Sequence, residues 1–176
     1  RKSQTYSNFN DFMYNLSYWS SWSNGFNIWK SEFDKIDKNL KLNKLFPHTS
    51  LFLTQHQAKL FCINDNLLFD VQRIPKRGGH NKFEAFTIEY PSLLDECCKK
   101  GHISTKCKKH ILFGIMVQFL PSLLFNKYII RIETFDDTGF RNNLKKYYPS
   151  YAYWLVLISV LGVPFRLFCR KLKNKR

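Results

Sequence analysis

Acidic residues are few in this 176-residue chain: 13 Asp and Glu stand against 28 Lys and Arg, a formal net charge of +15. Glycine (7) and proline (6) are also sparse, which excludes collagen-like and low-complexity classes. Five cysteines are too few for a disulfide-dense mini-protein. Catalytic signatures are missing. There is no GxSxG nucleophile elbow, and His48, His56, His80, His102 and His110 form no HExxH. The Gly78-Gly79 pair, with Lys76, Arg77 and Lys82 around it, lacks the spacing of a P-loop and reads as a solvated hairpin loop. Asp136-Asp137, just before Gly139, reads as turn chemistry rather than an acid–base pair. The sequence thus predicts a chain that is not an enzyme and needs no cofactor.

What is present is apolar and basic. Hydrophobic residues make up 44% and aromatics 17%, enough to bury a core and to exclude a disordered basic tail. The length suits one domain with appendages. The charge directs the chain towards anionic partners, whether a membrane surface, nucleic acid or an acidic protein. The chain starts at Arg1, so a missing leader carries no weight.

The strongest pattern lies near the C-terminus. Residues 147–165, YYPSYAYWLVLISVLGVPF, carry no charge. As one helix they would extend roughly 28 Å, close to a hydrocarbon core of about 30 Å. Tyr151, Tyr153 and Trp154 resemble an interfacial aromatic belt, and Arg166, Arg170 and Lys171 open a basic tail. A transmembrane helix over 147–166 is expected, its tail (167–176) on the cytosolic or matrix side. A buried core helix and an interfacial helix are the competing readings. A second uncharged run, Ile111 to Asn126, contains Gly114 and Pro121; it is short for a span and reads as two buried strands broken at Pro121, followed by an alternating strand from Lys127 to Thr134, with a second crossing that makes a helical hairpin as the alternative.

The remaining middle also reads as sheet: Leu51–Leu53, Ala58–Ile63, Leu67–Ile74 and Phe83–Tyr90 are β-prone, with a turn at Asn64-Asp65-Asn66, before a helix opened by Pro91. In the N-terminal segment, Trp19, Trp22, Phe26, Trp29, Phe33, Ile36 and Leu40 recur every three or four residues, the stripe of an amphipathic helix facing a core. A membrane-lying helix and a base-stacking platform are its alternatives. The expected fold class is α+β: an aromatic amphipathic segment (1–46), a small β-rich domain (47–140) and the C-terminal transmembrane helix.

Cysteine and histidine chemistry is sparse. Cys97, Cys98, His102, Cys107 and His110 offer zinc-ligand types, but adjacent cysteines diverge on a helix and nearby lysines repel a cation. With Cys169 on the reducing side, Cys62, Cys97, Cys98 and Cys107 form an even set of disulfide candidates, against a default of free thiols. Asn15-Leu16-Ser17 is a glycosylation sequon, and Cys169, among cations beside the predicted span, is a palmitoylation candidate. The function these features predict is a non-enzymatic, membrane-anchored accessory, assembly or anchoring subunit of a larger membrane complex. Its partners would be an anionic bilayer and the other subunits. The alternative is a basic RNA-bound protein, such as an organellar ribosomal subunit.

Overall fold

Short-range capping and aromatic burial organise the N-terminal part of the chain. In a computed structural model that describes residues 3–22, 26–64 and 81–173 (the last four by backbone alone), the chain divides into two compact units. The first draws on Arg1–Gln72 and Glu89–Leu112, the second on Arg73–Ile88 and Phe113–Arg176.

The first unit contains a two-stranded antiparallel sheet, β1 (Gln4–Tyr6) with β2 (Phe61–Ile63), in the register Gln4↔Ile63, Thr5↔Cys62 and Tyr6↔Phe61. Helix α1 (Phe9–Leu16) starts where the Asn8 side chain accepts the Asp11 amide at 3.1 Å, which satisfies one orphan donor of the first turn. It gives way to a 3-10 turn, Ser17–Ser21, with Ser17 at φ 54. Helix α2 (Lys30–Phe33) is one turn long. Helix α3 (Pro47–Leu53) begins on a proline, where no amide bond is lost. Phe9, Phe12, Phe52 and Phe61 are buried together; Phe12 stacks on Phe61 at 5.0 Å between centroids. Deeper in, the Ser20 and Tyr90 hydroxyls share a 2.5 Å hydrogen bond.

Helix α4 (Lys82–Glu84) continues through a π-turn, Ala85–Glu89, into α5 (Tyr90–Lys99). Helix α6 (Thr105–Gly114) likewise runs through a π-turn, Ile115–Phe119, into α7 (Leu120–Leu124) and ends in a third, Phe125–Ile129. The two stretches share a local repeat. In each, the first π-turn is followed by one residue and then Pro-Ser-Leu-Leu, at 91–94 and 121–124. A proline has no N–H for the carbonyl four or five residues back. In the second unit those carbonyls are taken by side chains: the Tyr148 hydroxyl donates to Phe86 O at 2.7 Å, and Arg166 Nη1 donates to Val117 O.

The second unit is completed by α8 (Phe140–Tyr147), α9 (Ala152–Leu161) and α10 (Val163–Lys173). Helix α9 packs on α7, α8 and the Ile115–Phe119 turn through Ala152 and the fully buried Val156.

These elements overturn the expected α+β class. The described residues are 65% helical and 4% strand, with one two-stranded sheet and no β-rich domain. Leu51–Leu53 ends a helix and Phe83–Tyr90 is helical; of the Ala58–Ile63 run only Phe61–Ile63 is strand. Leu67–Ile74 and the Gly78-Gly79 loop lie outside the described residues. Ile111–Asn126 is helix despite Gly114 and Pro121, because the π-turn ahead of Pro121 absorbs its missing donor. Past Ile129 the chain leaves the helix, with Arg131 at φ 61, and forms no strand. The N-terminal aromatic stripe is not one core-facing helix: Trp19, Trp22, Trp29 and Phe33 are exposed, and the first two lie in or beside the 3-10 turn.

The C-terminal run is not a straight span either. Pro149 pushes the preceding Tyr148 into extended geometry (φ −113, ψ 157), which ends α8. Helix α9 has only ten residues, about 15 Å. The α9–α10 pair bends by 50° at Gly162. Among the described residues one continuous helix, Thr105–Ile129, is long and apolar enough to cross a membrane, and 56% of its apolar window is buried within the protein. The bent pair passes the same test only if its two helices are taken as one broken span.

Candidate membrane-facing surface

Helices α9 and α10 bury one side and leave the other uncovered. Ala152, Val156 and Val163 face inward, while Tyr151, Trp154, Ile158, Leu161, Phe165 and Phe168 are 59% to 81% exposed. The exposed six follow one another at intervals of three and four residues, so they form one apolar stripe that continues across the Gly162 bend. Isolated exposed apolar residues are ordinary; a contiguous stripe marks a surface that meets something apolar.

The charge around the stripe has one sign. Residues 138–176 hold nine Lys and Arg and no Asp or Glu. The Arg141 guanidinium lies 5.3 Å from the Tyr153 ring and 6.0 Å from Trp154, within cation–π range. Spacing alone does not single out Arg141, since it lies outside the uncharged run. The stripe is legible as spacing, but a hydropathy reading takes it for one side of a crossing helix.

The expected anchor residues divide. Tyr151 and Trp154 lie on the stripe, and Tyr153 is half-buried under Arg141. Arg166 turns inward: besides Val117 O it reaches Ser159 O at 3.5 Å, so it braces helices within the unit. The side chains of Arg170 and Lys171 lie outside the described residues, although the α10 backbone includes both. Cys169 is half-buried on α10. Asn15 is exposed on α1, its amide donating to Asp11 O at 2.8 Å.

All five thiols are free. Cys98 Sγ lies 3.6 Å from Thr105 Oγ1, and the buried Cys107 thiol donates to Asn10 O. Burial pushes the Cys97 thiol up to about 11 and the Cys107 thiol up to about 12. His110 stacks on Tyr14 at 4.0 Å. His102 stacks on His56 at 3.5 Å, nearly parallel, in an open cleft of about 860 Å³ in the first unit. Imidazole lone pairs lie in the ring plane, so stacked rings do not converge on one ion. Among the described residues no group of three or more His, Cys, Asp or Glu is arranged to hold a metal. Burial, then His56 and Lys100, lowers the His102 pKa.

In the second unit, Asp136 and Asp137 separate in role. Asp136 accepts the Thr138 amide and hydroxyl in a local turn. Asp137 accepts Lys127 Nζ at 2.7 Å and the Tyr128 hydroxyl. Burial pulls the Asp137 carboxyl upward, but those two donors outweigh it and hold the group below its ordinary value.

The class these features define is a small, mostly helical, strongly basic protein with a one-sided apolar C-terminal helix pair. No protein-family model, curated protein or solved structure matches the chain.

Proposed function

We propose that the chain is a non-enzymatic, membrane-associated accessory or anchoring protein of a larger membrane assembly. It would be held at an anionic leaflet, facing cytosol or matrix, by the α9–α10 stripe lying in the interface. The observation that carries the reading is the uninterrupted apolar stripe from Tyr151 to Phe168 in a region with no acidic residue. Amphipathic helices with such a face and cationic flanks lie in the headgroup layer. The buried side of α9 fixes which face is outward, and the 50° bend argues against a straight crossing. RNA binding would use the same positive charge but has no need of the apolar face.

By magnitude, apolar burial and charge are comparable at this surface, and only the first is insensitive to salt. A fully buried large apolar side chain contributes about 1.5–3 kcal/mol, and the stripe holds six. Each cation near an anionic surface adds about 1 kcal/mol. The test is flotation of the full chain with vesicles of 70% phosphatidylcholine and 30% phosphatidylserine, a composition chosen on the order of a cytoplasmic leaflet's charge. The unaltered protein is expected to float. Ile158→Glu with Phe165→Glu should remain in the dense fraction while keeping its helical circular dichroism, since both positions are already exposed. Flotation of the double variant equal to that of the unaltered chain would refute the stripe as the anchor.

A further inference from the structure

The second unit contains an apolar pocket of about 370 Å³ beside the stripe. Leu124 and Phe140, both buried, lie in its lining with Tyr153, Leu157 and Val160 of α9. Leu161 and Ile129, 81% and 61% exposed, mark its open side. Leu161 also belongs to the stripe, so the pocket opens onto the proposed lipid-facing surface.

One end of the lining is polar. Tyr128 and Asp137 both reach the pocket and are hydrogen-bonded to each other. Lys127, anchored to Phe135 O at 2.6 Å and Asp137 Oδ1 at 2.7 Å, balances the carboxylate. The π-turn Phe125–Ile129 supplies both Lys127 and Tyr128 to the one acceptor. The ion pair leaves this end with no net charge. What remains on the Asp137 carboxylate are further lone pairs, acceptors only. A carboxylate head would meet no uncommitted cation there, since Lys127 is held by Phe135 O and Asp137, and a quaternary ammonium has no proton to donate. A hydroxyl donates without adding charge. The volume lies at the low end for small-ligand sites, roughly 300–1,000 Å³, and suits one acyl chain rather than two.

We propose that this pocket binds a single-chain neutral lipid of the monoacylglycerol class, its acyl chain between α7 and α9 and a glycerol hydroxyl donating to Asp137. The inference rests on the membrane reading only for the source of the lipid.

The experiment is calorimetric titration of the full-length chain at neutral pH with 1-decanoylglycerol below its aggregation concentration, alongside decanoate and decyltrimethylammonium of equal chain length. Saturable one-to-one binding of decanoylglycerol, at least tenfold tighter than either charged probe, is expected. Leu157→Trp, which fills the pocket, should weaken it tenfold or more and leave vesicle flotation intact. Asp137→Asn should narrow the preference over decanoate. No saturable binding of decanoylglycerol by the unaltered protein overturns the proposal, as does equal binding of decanoate; neither result depends on a variant folding. Flotation without decanoylglycerol binding removes the pocket and keeps the membrane reading. Decanoylglycerol binding without flotation does the reverse, leaving a site for free single-chain lipid.

Discussion

At the scale of single residues, burial decides which groups can react. Cys107 is fully buried and Cys97 nearly so, and burial raises both thiols far above neutral pH. The thiolate is the reactive form, so these two should resist alkylation at pH 8 while the exposed Cys62 is modified quickly. Iodoacetamide labelling with peptide mapping, native against urea-unfolded, checks this; equal native labelling at Cys62 and Cys107 would contradict the burial. The pH response of Asp137 also belongs here. Its folded-state pKa is lowered, so the stability it contributes is complete above its unfolded value, near 3.8. That stability is lost as pH falls through the lower folded value.

At the scale of elements, the two Pro-Ser-Leu-Leu helices depend on side chains that take up carbonyls. Arg166→Met leaves the half-buried Val117 O without that donor and should cost about 1–3 kcal/mol of stability, the worth of a hydrogen bond from a charged donor. Pro121→Ala restores an amide where the proline had none, so adding it to Arg166→Met should recover part of that loss. Urea unfolding of the two single variants and the double variant reads the coupling, and strictly additive effects would separate Arg166 from Pro121.

Legibility also varies by element. Pro91 and Pro121 mislead in the same way: the rule that puts a proline at the start of a helix or at a break does not register the π-turn ahead of each, through which the helix continues. The short alternations at Phe83–Tyr90 and Lys127–Thr134 resemble strands, but a run of that length does not distinguish a half-buried strand from a buried helical turn. The uncharged C-terminal run is plainly apolar. Its division by Pro149 and Gly162 depends on local backbone geometry that a hydropathy count does not register. The Lys127–Tyr128–Asp137 cluster is hidden because it forms only when the chain turns back after Ile129, at Arg131.

At the scale of the whole molecule, a net charge of +15 makes salt the dividing variable. Binding driven by phosphate contacts falls steeply as salt rises, whereas apolar insertion does not. In flotation from 0.05 to 0.5 M NaCl, the protein should weaken modestly and remain on anionic vesicles, while any association with a mixed-sequence RNA should be lost within that range. Release from vesicles as steep as release from RNA would make charge, not the stripe, the functional feature. Nothing in this contrast depends on the helix Thr105–Ile129 crossing a bilayer; over half of its apolar window is buried against the protein's own residues, as in a core helix.

The π-turn at Ile115–Phe119 has a consequence for chain length. The hydrogen bonds there span five residues instead of four, so an extra residue is accommodated without a loop. Removing a single residue from 115–119 would let the turn close as ordinary α-helix, and the later side chains would keep their facing. Leu120, Leu123 and Leu124 would stay on the buried side, and Lys127 and Tyr128 would still meet Asp137. A one-residue deletion elsewhere in the same helix has no such slack and would turn everything after it by about 100°.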